Sequence, residues 1–144
     1  MEQIEALING LKKFEEQIPQ VIERSLQDNE DFILALNYED QLFDRGVDSN
    51  SKALKPPYAE STVSIKKRKH QPTNRVTLRD TGVFHKSFYI YYGSDNFEIM
   101  TSDPIEPFLT NRYGPPILGL TDKNLQYVKD RFIGPALRKR IKEL

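Results

Sequence analysis

The chain has 144 residues, the usual size of one domain, and its 38% hydrophobic content with fifteen Phe and Tyr suffices for a modest core. It has no cysteine, which excludes disulfides, thiolate metal ligands and a thiol nucleophile, and no run of eighteen apolar residues, which argues against a membrane-spanning helix. Net charge is zero but segregated: Met1 to Asp48 holds four basic against twelve acidic residues, a net −8, whereas Lys66 to Lys86 holds seven basic residues against Asp80 alone, a net +6.

Met1 to Gly10 carries Glu2 and Glu5 and lacks the apolar core of a secretion signal, so neither secretion nor membrane association is expected. Within 1–44, an acidic helical part, Ile4, Leu7, Ile8, Leu11, Phe14, Ile18, Val21 and Ile22 recur at spacings of three and four, which predicts an amphipathic helix. Pro19 predicts a kink, or a break at Ile18, because proline removes a backbone donor and clashes with the preceding turn. Phe32, Ile33, Leu36, Tyr38, Leu42 and Phe43 predict a second helix from Asn29 to Phe43, with Asp28 or Asn29 as its cap.

Residues 45–82 read as loops around a short basic helix. Asp44 to Leu54 is polar, with Gly46, Asp48, Ser49, Asn50 and Ser51, and leads into Pro56-Pro57; it is the candidate flexible arm. Ser61 or Thr62 caps a helix over Val63 to Lys69, which Pro72-Thr73-Asn74 ends, and a linker precedes Val76.

In 83–144, Gly82 supplies a turn, and Val83 to Tyr92 and Phe97 to Thr101 are rich in aromatic and β-branched residues. Gly93-Ser94-Asp95-Asn96 between them has hairpin chemistry, so two antiparallel strands form the centre. Alternation places Phe88, Ile90 and Tyr92 on one face and Tyr89 and Tyr91 on the other. Ile105, Phe108 and Leu109 predict a short helix across the sheet, followed by a rigid Tyr113-Gly114-Pro115-Pro116 connection. A last helix starts at Thr121 or Asp122, buries Leu125, Val128, Phe132 and Leu137, and should bend or end at Gly134-Pro135. The fold class is therefore α+β in one domain: N-terminal helices, a small antiparallel sheet with long loops, and a C-terminal helix packed on the sheet.

No catalytic or metal-binding constellation emerges. His70 and His85 lack carboxylate or cysteine partners at ligand spacing and read as surface or turn residues, and there is no G-x-S-x-G elbow or phosphate-binding glycine loop. The pattern predicts no enzyme and no cofactor.

Three motifs stand in a fixed order: Lys55-Pro56-Pro57-Tyr58-Ala59-Glu60-Ser61-Thr62, the basic run Lys66-Lys67-Arg68-Lys69, and Leu78-Arg79-Asp80-Thr81-Gly82-Val83-Phe84-His85-Lys86-Ser87-Phe88. Together they resemble the tail-completion and virion-morphogenesis proteins of tailed bacteriophages, in which an aromatic, a Ser/Thr cluster at a helix start, a Lys-rich helix and an "L-x-x-T-G-x-L-x-x-S" turn follow one another. Tyr113-Gly114-Pro115-Pro116-Ile117-Leu118-Gly119-Leu120-Thr121 looks like that family's aromatic-Gly-Pro segment, although Pro115-Pro116-Ile117-Leu118 replaces the frequent "P-A-R-P-F-L". The resemblance spans Pro56 to Thr121 and leaves out the acidic N-terminal third.

It implies a structural part of a phage neck or tail, assembled in the host cytoplasm and carried in the virion. Many copies would form a ring joining portal to tail, with partners among the portal, neck and tail proteins and incidental contact with DNA in the channel. The interface residues expected on this basis are Tyr58, Lys66, Lys67, Arg68, Lys69, Arg75, Arg79, Tyr89, Tyr91 and Tyr113, with Gly82, Gly93 and Gly114 as structural turns; Asp44 to Tyr58 and Lys69 to Asp80 would be docking arms. The alternative is a small nucleic-acid-binding module using the basic segment 66–79, which predicts strongly salt-dependent DNA binding.

Overall fold

A computed structural model of the chain describes residues 2–94 and 96–144. Helix α1 (Glu2–Asp28) leads into α2 (Glu30–Ala35), which widens without interruption into a π-helix, Leu36–Arg45. Then follow α3 (Glu60–Arg68), the single turn α4 (Val83–Lys86), strands β1 (Phe88–Tyr92) and β2 (Phe97–Thr101), and α5 (Glu106–Tyr113). A 3-10 turn (Pro115–Ile117) precedes α6 (Asp122–Val128), a second π-helical stretch (Lys129–Ile133) and α7 (Gly134–Lys142). The fold is α+β, helices around one two-stranded antiparallel sheet.

Pro19 does not break α1. Pro19 and Glu15, whose carbonyl loses its usual donor, both lie on the exposed side, where that carbonyl is open to solvent. Nor does Gly134-Pro135 end the last helix: the preceding stretch is π-helical, and the Gly134 amide bonds the Lys129 carbonyl five residues back. The wider turn passes the proline without leaving the helix. Two expected caps are also replaced. Asn29 precedes α2 but turns its side chain back to donate to the Ser25 carbonyl at 2.8 Å, and α3 starts from Ala59, ahead of Ser61 and Thr62.

Thr121 does cap α6, accepting from the Asn124 amide. The strand expected from Val83 begins only at Phe88, because Gly82, at φ +89°, turns the chain into α4, where the Ser87 hydroxyl donates to the Val83 carbonyl at 2.7 Å. The aromatic composition of Val83 to Ser87 serves core packing there: Phe84 and Phe88 meet edge to face, 5.0 Å between centroids.

In the hairpin, Ile90 opposes Ile99 and Tyr91 opposes Glu98. Phe88, Ile90 and Ile99 are buried, while Tyr89, Tyr91 and Met100 stand exposed on the other face. Gly93 donates to the Asn96 carbonyl at 2.8 Å to close the turn; of the expected turn residues, Asp95 lies outside the described ones. The outer edge of β1 is occupied by α2, where Glu30 Oε1 accepts from the Ile90 amide at 3.1 Å. The C-terminal helix packs along α1, and across a cleft Leu125, Lys129 and Ile133 face Tyr92 and Phe97 of the sheet.

The centre holds polar groups as well as Leu26, Ile33, Leu42, Ile117 and Val128. Asn37 and Gln41, four residues apart on the π-helix, are fully buried. Asn37 donates to the Ile117 carbonyl at 3.0 Å and accepts from the Gly119 amide at 2.8 Å. Gln41 donates to the Gly119 carbonyl at 2.9 Å and accepts from the Thr121 amide, also at 2.9 Å. Asn124 completes the network by donating to Gln41 Oε1. The polar loop expected to be a flexible arm is instead folded in: Asp48 Oδ1 accepts from the amides of Asn50 and Lys52, Val47 bridges Ala53, and Ser49 donates to the Pro116 carbonyl at 2.8 Å.

Removing either amide strands a buried backbone group, the Ile117 carbonyl or the Thr121 amide. Asn37→Ala should lower unfolding free energy by about 2–4 kcal/mol, against a change within ~0.5 kcal/mol for the exposed Asn50→Ala. Urea denaturation of both variants checks this, and equal midpoints would refute the assignment.

Candidate docking groove

The motifs singled out in the sequence converge on one groove of about 530 Å³. Tyr58, Lys66, Arg79, Gly82 and Tyr113 all line it, although 55 residues separate the first from the last. One bank is α3 with the segment Leu78 to Phe84, and the other is Ile105 with α5. Ile105 and Phe108, expected from their spacing to pack over the sheet, are 45% and 61% exposed and leave this second bank apolar.

The first bank is held from below. The Tyr58 hydroxyl accepts from the Thr77 amide at 2.9 Å and lies 3.3 Å from the Thr77 hydroxyl. The Thr77 carbonyl accepts from His85 Nε2 at 3.0 Å. Thr77 and His85 are almost wholly buried, so the presumed surface histidine is a core element, and the presumed linker before Val76 leads into the buried pair Val76 and Thr77. His85 is ringed by Tyr38, Phe84 and Phe88, and its Nδ1 has no partner. Burial pushes its pKa down to about 4, with a further lowering from the charge of Arg79, against which the bond to Thr77 acts.

Lys66 is corrected likewise. It is 8% exposed, its ammonium lies 4.8 Å from the Tyr58 ring centroid, and it donates to the Arg79 carbonyl at 3.2 Å and Gln71 Oε1 at 3.4 Å. It is a brace within the groove wall, which removes it from the exposed basic surface. Neighbouring cations are engaged too. Arg79 stacks 4.5 Å from the Phe43 ring and lies 3.6 Å from Glu39, Arg75 donates to the Phe43 carbonyl at 2.7 Å, and Lys69 pairs with Asp80 at 2.8 Å. Lys69 holds the Asp80 carboxyl below its ordinary pKa. Lys67 and Arg68 remain exposed on the outer side of α3.

On the far bank the Arg112 guanidinium lies over the Tyr113 ring and donates to its hydroxyl at 3.3 Å. Gly114, at φ +96°, then turns the chain into Pro115-Pro116. Tyr89 and Tyr91 are not brought into the groove; they stand on the open sheet face. Among the described residues no three His, Cys, Asp or Glu side chains gather as a metal site, and no helix is long and apolar enough to cross a membrane. The arrangement suits binding: an apolar lining, a few braced polar groups and aromatic anchors. No protein-family model, curated protein or solved structure matches the chain.

The groove's support has a pH signature. His85 is neutral in the fold with a pKa near 4 against 6.5 unfolded, so its contribution is intact above pH 6.5, falls as pH drops toward 4, and is constant below. The wild type should therefore lose on the order of 2–3 kcal/mol more than His85→Phe between pH 7 and 4.5. Urea melts at both pH values test this, and parallel pH dependence of the two proteins would refute it.

Proposed function

We propose that this chain is a structural subunit of the neck or tail of a tailed bacteriophage, forming an oligomeric ring that joins the capsid portal to the tail. The observation that supports this reading is the convergence of the resembling motifs. Tyr58, Gly82 and Tyr113 come from the separate pieces of the pattern, yet they line one groove whose exposed Ile105 and Phe108 a lone chain leaves uncovered. Exposed apolar and aromatic groups beside braced cations are the composition of a protein interface. A second such surface is the bare sheet face of Tyr89, Tyr91 and Met100, so each copy has more than one surface to offer neighbours. The ring's other partners are portal, neck and tail proteins, and its place is the virion.

The nucleic-acid alternative draws less from the geometry. Of the seven cations between 66 and 86, Lys66, Lys69, Arg75 and Arg79 are committed to partners within the chain.

Tailed particles released by the host that encodes the chain, purified and analysed by quantitative mass spectrometry, should contain it at a fixed copy number of a few to about a dozen, as closed cyclic assemblies have. Its absence from intact particles, with salt-dependent DNA binding by the purified protein, would overturn the proposal in favour of the alternative.

A further inference from the structure

The first four turns of α1, residues 2–16, are exposed apart from the half-buried Gly10 and Phe14. Ile4, Leu7, Ile8 and Leu11 form one stripe and are 58%, 59%, 46% and 44% exposed. Further along, the same stripe is covered: Leu26 is buried, Ile22 packs on the core, and α7 runs antiparallel to α1. That cover stops where the Arg140 guanidinium donates twice to Gln17 Oε1, at 2.9 and 2.7 Å. Beyond this clamp α1 extends about 22 Å as a bare amphipathic helix.

We infer that this arm of one copy lies in the Tyr58–Tyr113 groove of the next copy, a head-to-tail contact that repeats around the ring. The inference deepens the proposed function by naming the partner of that groove. Three observations carry it. The arm is apolar along one stripe, and the groove is apolar along the Ile105–Phe108 bank with volume for several leucine-sized side chains, the fit by which helices dock in grooves. The charges are of opposite sign: the arm carries Glu2, Glu5, Glu15 and Glu16 against Lys12 and Lys13, a net −2, while Lys66, Arg79 and Arg112 against Asp80 and Asp103 give the groove lining a net +1. Finally, α1 is one continuous helix, so its arm cannot fold back into the groove of its own chain. A contact between two different surfaces closes into a ring when the rotation between copies permits, which a self-complementary contact does not achieve alone.

The test uses two full-length variants at positions whose exposure leaves the fold intact, Leu7→Asp on the arm and Phe108→Asp in the groove, each checked by circular dichroism. Analytical ultracentrifugation at micromolar concentration should show an oligomer for the wild type and monomers for each variant. Mixed in equal amounts, the two variants should form a heterodimer and stop there, because the mixture joins one intact groove to one intact arm. Oligomers that survive either substitution, a mixture that stays monomeric, or a wild type that is monomeric at every concentration would each overturn the contact. None of these results alters the content of purified particles, so loss of this contact and loss of the neck assignment are read separately.

Discussion

Two buried side-chain amides hold the molecule together. Asn37 and Gln41 bond the backbone of Ile117, Gly119 and Thr121 as a neighbouring strand would, with four bonds of 2.8–3.0 Å, those to Ile117 and Thr121 fully buried. Each amide left unpaired there would cost about 1–3 kcal/mol, so the network is complete or the region does not fold as it does. The π-helical geometry of Leu36–Arg45 brings residues four apart toward the same side. From this clamp follow the cap of the last helix, since Thr121 is fixed by Gln41 and in turn caps Asn124, and the position of Pro115-Pro116, which also receives the amide of Ser49.

The groove depends on that clamp through one bank and on a second relay through the other. Tyr113 and α5 lead directly into the clamped Gly114–Gly119 segment. The opposite bank is tied through Tyr58, Thr77 and His85 to the aromatic cluster under the hairpin. Both banks are therefore tied to the core, while their facing surfaces remain open and apolar. A pre-formed surface of this kind lowers the ordering cost of association. The charges are segregated in the fold as well: acidic residues concentrate in α1 and α2, and basic ones along α3 and the turn after it.

The amphipathic helices, the hairpin and the Thr121 cap were legible in the sequence because their signals are local: spacing, alternation and an oxygen three residues before an amide. The faces of β1 were equally legible, with Phe88 and Ile90 buried and Tyr89 and Tyr91 exposed. Where the reading differed, local backbone geometry or, for Asp44 to Leu54, a long-range contact outweighed the residue preference. Val83 to Lys86 became helical under Gly82, Pro19 and Pro135 were absorbed by solvation and by a π-turn, and Asp44 to Leu54 was drawn in by Asp48 and Pro116. Of the candidate site, Tyr58, Gly82 and Tyr113 were visible from their motifs, but the roles of Thr77, His85 and Lys66 were not, since nothing in a lysine or histidine code marks it as buried.

By itself the sequence determined the α+β class, the helical faces, the hairpin and the opposition of acidic and basic segments, because each depends on residues within a few positions of one another. The tertiary structure alone decided which polar residues are interior, which cations are committed to partners, and that the separated motifs share one groove. Many of those outcomes depend on bonds between residues distant in the sequence, such as Tyr58 to Thr77 and Gln41 to Asn124. No local pattern records such bonds, because their stability comes from the exclusion of water that the finished fold creates.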